Sequence, residues 1–238
     1  PQRDPNKNIP DPFESFKHHT THMMRGNKEF YNELQNRACL DVPCEIFLAD
    51  ARKTPMSDES VDVVITSPPY VTSYEYADIH QLTGYWMEYF SDIIAFRKQF
   101  IGTSYSDNRS SDTKGSELAR KIVSQLLEKD KRMAFDVANY FNDMLDVAKE
   151  MYRVVRKRGL ACIVIGNTTY RDVHVRSAEV FYNHLIHAGF KKDEVIKRNI
   201  PHKLMPTLRD KKTGKFTTLD NKDCKQVYPD EYIIIVRK

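Results

Sequence analysis

The stretch Val61-Asp62-Val63-Val64-Ile65-Thr66-Ser67-Pro68-Pro69-Tyr70 constrains this chain more than any other. Four of its first five residues are apolar and β-branched, the composition of a buried strand at the centre of a sheet, covered on both faces. Two successive prolines then end the ladder, because neither can donate a backbone N–H. The strand therefore runs into a stiff loop that offers a hydroxyl (Ser67), rigid carbonyls from Thr66 to Pro68 and an aromatic ring (Tyr70). Open α/β sheets place their ligands at this carboxyl end of the strands.

Such a loop suits the exocyclic amine of a nucleobase. That nitrogen is a poor nucleophile, since its lone pair is delocalised into the ring. Acceptors aimed at its two hydrogens draw it toward tetrahedral geometry and stabilise the positive charge that develops in a methyl transfer. A ring stacked on the base holds it once it has left the duplex. Thr66-Ser67-Pro68-Pro69-Tyr70 resembles the catalytic motif of the amino-directed DNA methyltransferases, which use S-adenosylmethionine. The resemblance implies catalytic roles for Ser67, Pro68, Pro69 and Tyr70. Ser67 and the Pro68 carbonyl would accept hydrogen bonds from the amine, Tyr70 would stack on the flipped base, and the methyl would pass directly to nitrogen without a cysteine nucleophile. Within the family, Ser before Pro-Pro-Tyr is more typical of cytosine-N4 enzymes, and Asp or Asn usually accompanies adenine-N6 methylation. Cytosine N4 is thus the favoured expectation, with adenine N6 and a non-catalytic DNA-recognition subunit as alternatives. A subset of the family also resembles the following block, including Arg97-Lys98-x-Phe100-Ile101-Gly102. The setting it implies is restriction–modification or another DNA-marking system.

Residues 1–43 read as an irregular arm rich in Pro, Asp and Asn, then a helix over Lys28–Ala38; residues 44–238 read as the catalytic half. Glu45–Ala49 has the pattern of a short strand ending at Asp50-Ala51-Arg52. In the family an acidic residue at this strand end contacts the adenine of the cofactor, so the resemblance puts Asp50, with Ala51 and Thr66, in the cofactor site. Ile79, Leu82, Tyr85, Trp86, Tyr89, Phe90 and Ile93 follow helical spacing and are expected mostly in the core. Tyr74 and Tyr76 precede that helix and are candidates for the base pocket. Residues 97–132 read as a mobile insertion containing a helix from Glu117 to Lys129. Met133–Val155 is an amphipathic helix, with Arg156-Lys157-Arg158 in its last turn and Gly159 closing it. Leu160–Ile165 is a second buried strand. It leads to Asn167 and Thr168, which the resemblance brings to the reaction pocket and which a polar turn explains nearly as well. A helix over Ser177–Ala188, capped by Gly189, precedes strands at Phe190–Arg198 and Glu231–Val236 that form a closing hairpin. The excursion 199–229 between them is too long and basic for a hairpin loop; Lys203 and Arg209 within it are expected to contact DNA.

The net charge of +4 permits double-stranded DNA as a partner without demanding it, but the basic clusters gather in residues 191–238. The four cysteines form no C-x-x-C pair, which points to a reduced cytoplasmic protein with neither disulfides nor structural zinc; the family resemblance implies one that is prokaryotic in type and nucleoid-associated. His18, His19 and His22 lack cysteine or acidic partners at ligand spacing, so no metal site is expected. No run has the length of a membrane span.

The glycines carry a further expectation. The family's cofactor loop is a glycine-rich turn after its first strand, because the backbone approaches the cofactor closely there. This chain has 8 glycines, no two within two residues of each other. Asp11-Pro12-Phe13 echoes the start of the family's D-P-F-x-G-x-G motif, but Glu14-Ser15-Phe16 follows without a glycine. The expected fold is therefore an α/β, class I methyltransferase-like (Rossmann-like) sheet that is incomplete in this chain and ends in a strand hairpin. In the family the first two strands lie between the third and the catalytic fourth. Without them Glu45–Ala49 cannot pair beside Val61–Ile65, and strand edges stay unpaired. A second chain or a missing segment is expected to carry the glycine loop, leaving this chain alone a poor binder of S-adenosylmethionine.

Overall fold

The computed structural model describes residues 10–71, 76–107, 109–199, 208–210, 217–218, 220–226 and 230–238. The chain divides into two units, Pro1–Leu48 and Ala49–Lys238. In the first, helix α1 (Pro12–Asn36) starts well before the expected Lys28. Asp11 is its N-cap, accepting the N–H groups of Phe13 and Glu14 at 2.9 and 3.0 Å. Pro12 stands in the first turn, where its missing N–H costs nothing. The Asp-Pro-Phe triplet is thus a helix start. No residue of α1 is buried. The strand expected at Glu45–Ala49 does not form: only an isolated bridge joins Asp50 to Lys53. A strand exists only through its neighbour's hydrogen bonds, and nothing described pairs with this segment.

The second unit has the expected mixed α/β architecture. Its elements are β1 (Val61–Thr66), α2 (Tyr76–Ile79), α3 (Gln81–Trp86), α4 (Ile93–Arg97), α5 (Glu117–Leu127), α6 (Lys131–Val154), β2 (Val155–Gly166), β3 (Thr168–Tyr170), β4 (Val173–Val175), α7 (Ser177–Ala188), β5 (Lys191–Asn199), β6 (Leu208–Asp210), β7 (Cys224–Gln226) and β8 (Asp230–Arg237). The main sheet has the order β1-β2-β8-β5. β1 and β2 are parallel, whereas β8 runs antiparallel to both β2 and β5, which is the anticipated closing hairpin.

Alternation along these strands divides the sheet into two unlike faces. On one, Ala161, Ile163 and Ile165 of β2 and Ile234 and Val236 of β8 are fully buried, in one cluster with Phe141, Met144, Phe181 and Leu185 of α6 and α7. The other face carries Val63 and Ile65 of β1, beside Leu160 and Cys162 of β2 and Ile235 of β8 in register. Here Ile65 is 77% exposed. Among the described residues β1 is therefore an edge strand open on one face, not the central strand that its composition predicts. Its apolar side chains provide for two coverings, and the described residues supply one.

Two further expectations are corrected. The aromatic stripe from Ile79 to Ile93 is not core: α2, α3 and α4 are short separate helices, and Leu82 and Trp86 are 75% and 86% exposed. Phe90 instead stacks on Phe96 at 4.5 Å, with Tyr85 and Phe100 edge-on at the ends of the row. Arg156-Lys157-Arg158 is not a helix terminus either, since Val155 is already extended and the basic triplet lies in β2. Gly159 serves close approach and not capping, because a Cβ there would sit 2.7 Å from the Asp62 carbonyl of β1. Gly189 does close α7, at φ 117°. The β3–β4 hairpin, not foreseen, turns on Arg171 and Asp172, both at positive φ.

His184 of α7 is completely buried, and burial pushes its pKa from 6.5 down to about 4. A folded pKa below the unfolded one means that the fold favours the neutral ring. The associated stability is complete above about pH 6.5 and is lost as pH falls toward 4, a change of about 3 kcal/mol. Urea unfolding of His184→Leu and the parent across this range should show the parent losing that much more.

Candidate active site

The loop after β1 is held from two sides. Ser67 is exposed, and its hydroxyl donates to the Val164 carbonyl of β2 at 3.1 Å. Oγ keeps lone pairs that can accept, and Ser67 also hydrogen-bonds the Tyr70 side chain. Pro68 is buried, and Thr66 and Pro69 are half-buried. From the other side, the Tyr140 hydroxyl of α6 donates to the Pro69 carbonyl at 2.8 Å. Tyr140 is buried, and that burial pushes its phenol pKa up, so the group stays a donor.

Tyr70 is half-buried. Its ring lies over Gly166 at the end of β2, where a Cβ would come within 2.9 Å of it. Only glycine leaves room for the ring there. The Tyr70 hydroxyl donates to Glu231 Oε2 of β8 at 3.3 Å. Glu231 is 7% exposed, and its other oxygen takes the guanidinium of Arg198 on β5. Burial, followed by the charge of Glu231, raises the Tyr70 pKa. The phenol is neutral at physiological pH.

Asp50 sits in a separate polar network. Arg52 clasps it through its backbone N–H at 2.8 Å and its guanidinium at 2.8 Å. The same guanidinium reaches Asp143 Oδ1 of α6 at 2.8 Å, and Asp143 Oδ2 accepts the Gly102 N–H at 2.8 Å. The hydrogen bond from Arg52 holds the Asp50 carboxyl below its usual range, so it is ionised. Arg52 makes four hydrogen bonds to this carboxylate, two on each oxygen, which engage its four lone-pair positions. A polar cavity of about 300 Å³ opens beside Arg52, lined by Lys98, Lys114, Asn142 and Lys149 among others. Further along α6, Glu150 accepts the N–H and hydroxyl of Thr54 at 2.7 and 2.6 Å and pairs with Arg153, which lowers its pKa to about 2. This fixes the turn that leads into β1.

The structure brings Ser67, Pro69 and Tyr70 together with four residues that the sequence reading did not single out: Tyr140, Gly166, Arg198 and Glu231. Glu231 is 161 residues from Tyr70, and no local signal marks it. Arg52, two residues from Asp50, was within reach of a local reading. Asn167 Oδ1 accepts the Ala178 N–H in the first turn of α7 at 3.0 Å. Ala51 is exposed. Tyr76 opens α2 and Arg209 lies in β6; Tyr74 and Lys203 fall outside the described residues. In residues 97–107, the Gly102 N–H donates to Asp143 of α6, and Lys98 pairs with Asp107 at 2.8 Å.

No protein-family model matches the chain. It is 24% identical over 199 residues to the type II methyltransferase M.MvaI of Kocuria varians, a match covering 76% of this chain and 43% of that protein. The chain thus spans less than half the length of this relative. Solved structures of a Thermus thermophilus protein described as a candidate DNA modification methylase are also similar. One is 17% identical with a TM-score of 0.39, covering 80% of this chain and 52% of that one. Another, complexed with S-adenosyl-L-methionine, is 16% identical with a TM-score of 0.38, covering 80% and 54%.

Tyr140→Phe leaves the Pro69 carbonyl without its donor. It should lower unfolding free energy in urea by about 1 kcal/mol; a variant as stable as the parent would show that other contacts hold the loop.

Proposed function

We propose that this chain is the catalytic half of an S-adenosylmethionine-dependent DNA amino-methyltransferase that acts on cytosine N4. The observation that supports it most is the state of Ser67. Its exposed hydroxyl donates to Val164 at the carboxyl end of a strand in a parallel pair, and its oxygen keeps lone pairs that can accept. Ser67 Oγ and the Pro68 carbonyl accept the two hydrogens of the exocyclic amine, and the Tyr70 ring supports the flipped base. The relationship to a type II methyltransferase supports the same reaction class.

The residues present fit one end of the cofactor. Asp50 is ionised and exposed, and it suits the adenine amine, with Ala51 and Thr66 alongside, once part of its fourfold engagement by Arg52 gives way. S-adenosylmethionine, when bound, supplies an electrophilic methyl group. The 8 scattered glycines offer no turn for its amino-acid end. A second chain or segment is therefore part of the proposal, carrying the glycine-rich loop, pairing with the outer rim of β1 and covering Val63 and Ile65. The open apolar face supports this reading. In it, residues 44–238 form the catalytic half, the segment 199–229 with Lys203 and Arg209 contacts DNA backbone, and the setting is restriction–modification or similar DNA marking.

The test is tritium transfer from labelled S-adenosylmethionine to unmethylated DNA, by the chain alone and with any co-purifying partner, followed by nucleoside analysis. Expected are activity and tight cofactor binding only in the assembled complex, N4-methylcytosine as product, and a loss of about 100-fold or more in Ser67→Ala and Tyr70→Ala. N6-methyladenine would transfer the proposal to adenine. Full activity in both variants would make the chain a non-catalytic DNA-recognition subunit.

A further inference from the structure

Tyr70 does more in this structure than border a pocket, because its hydroxyl is anchored. Glu231 is a buried carboxylate with two different partners, one oxygen facing the Tyr70 phenol and the other the Arg198 guanidinium. Burying a carboxylate is costly unless a cation and hydrogen bonds compensate it, and Arg198 supplies that cation. The register shows how the arrangement is built. Glu231 of β8 stands opposite Gly166 of β2 on one side and Arg198 of β5 on the other. Gly166 leaves the space that the Tyr70 ring occupies. Three strands thus hold one ring, at its face and at its hydroxyl.

We propose that Glu231, held by Arg198, is a positioning residue for Tyr70, fixing the ring in the plane that receives the flipped base. The inference rests on the methyltransferase reading of the loop. A tyrosine pinned only through its backbone would be free to turn about its side-chain bonds, and a base arriving from the duplex would then have to order it. An anchored hydroxyl removes that cost before binding. The anchor also has a definite place in the chain. Arg198 with Glu231 and Asn199 with Asp230 are the last pairs of the β5–β8 ladder before residues 200–229, and Lys197 also meets Asp230 at 2.7 Å. The basic segment therefore leaves and re-enters the sheet at the residues that hold Tyr70.

The assembled complex, with tyrosine labelled at its ring Cζ, gives two independent readouts. In NMR, Glu231→Gln should move the Tyr70 signal and lower the pH at which that phenol titrates. In methyl transfer, Glu231→Gln and Tyr70→Phe should each lower kcat about tenfold, the scale of a hydrogen bond to a charged group, with KM for S-adenosylmethionine unchanged. The double variant should be no worse than either single one. An unmoved Tyr70 signal, or losses that multiply in the double variant, would overturn the anchor. Activity lost in Tyr70→Ala but intact in Glu231→Gln overturns the positioning role alone and leaves the methyltransferase reading standing. Activity intact in both Tyr70→Ala and Ser67→Ala overturns that reading, and the proposal with it. Should Glu231→Gln fold poorly, Tyr70→Phe decides alone, and an unchanged kcat refutes the anchor.

Discussion

The parallel pairing of β1 with β2 is the constraint on which the site depends. Ile65 lies opposite Cys162 and Thr66 opposite Ile163. That register delivers Ser67 to the Val164 carbonyl and brings Tyr70 over Gly166. Because side chains alternate along a strand, a slip of one residue would turn Val64 and Thr66 away from the helices and carry Ser67 off its acceptor. β8 then extends the same geometry by one strand, placing Glu231 opposite Gly166. The chemistry at the loop is thus a consequence of ladder register, and its parts come from three strands far apart in sequence.

α6 provides the complementary restraint. Tyr140, Asp143 and Glu150 lie on one side of this helix, three and seven residues apart. Tyr140 holds the Pro69 carbonyl, Asp143 holds Arg52 and the Gly102 N–H, and Glu150 holds Thr54. A single helix therefore organises the segment before β1, the loop after it and the turn at Gly102. The rest of that helix is ordinary core, with Val137, Phe141, Met144 and Ala148 packed beneath the neighbouring elements. One rigid element serves both packing and site geometry, so the loop borrows its order from the most deeply buried part of the protein.

The two faces of the sheet are unequal. One is sealed by α6 and α7; the other presents Val63 and Ile65 on a strand whose outer rim pairs with none of the described residues. Exposed apolar side chains beside free backbone donors and acceptors are a standing liability for a protein. The same surplus appears on α3, where Leu82 and Trp86 face outward. These residues have the composition of a core without the neighbours of one.

What the sequence determined by itself was local. The periodicity of α6, the glycine that ends α7, the apolar run of β2 and the proline-stiffened loop after β1 are each written within a few adjacent residues, because helix phase, left-handed φ and ladder termination are properties of neighbouring backbone. The Asp-Pro start of α1 is equally local. Tertiary structure decided whatever needs a partner. The run Glu45–Ala49 has strand composition and is no strand, since a strand is defined by a neighbour's hydrogen bonds. β1 has the composition of a central strand and lies at the edge. The aromatic stripe after the loop has core spacing and stands in solvent, because spacing sets which side chains share a face and not what that face meets. Above all, the anchoring of Tyr70 by Glu231 and Arg198 joins residues from the loop, β8 and β5 that only the folded sheet makes neighbours.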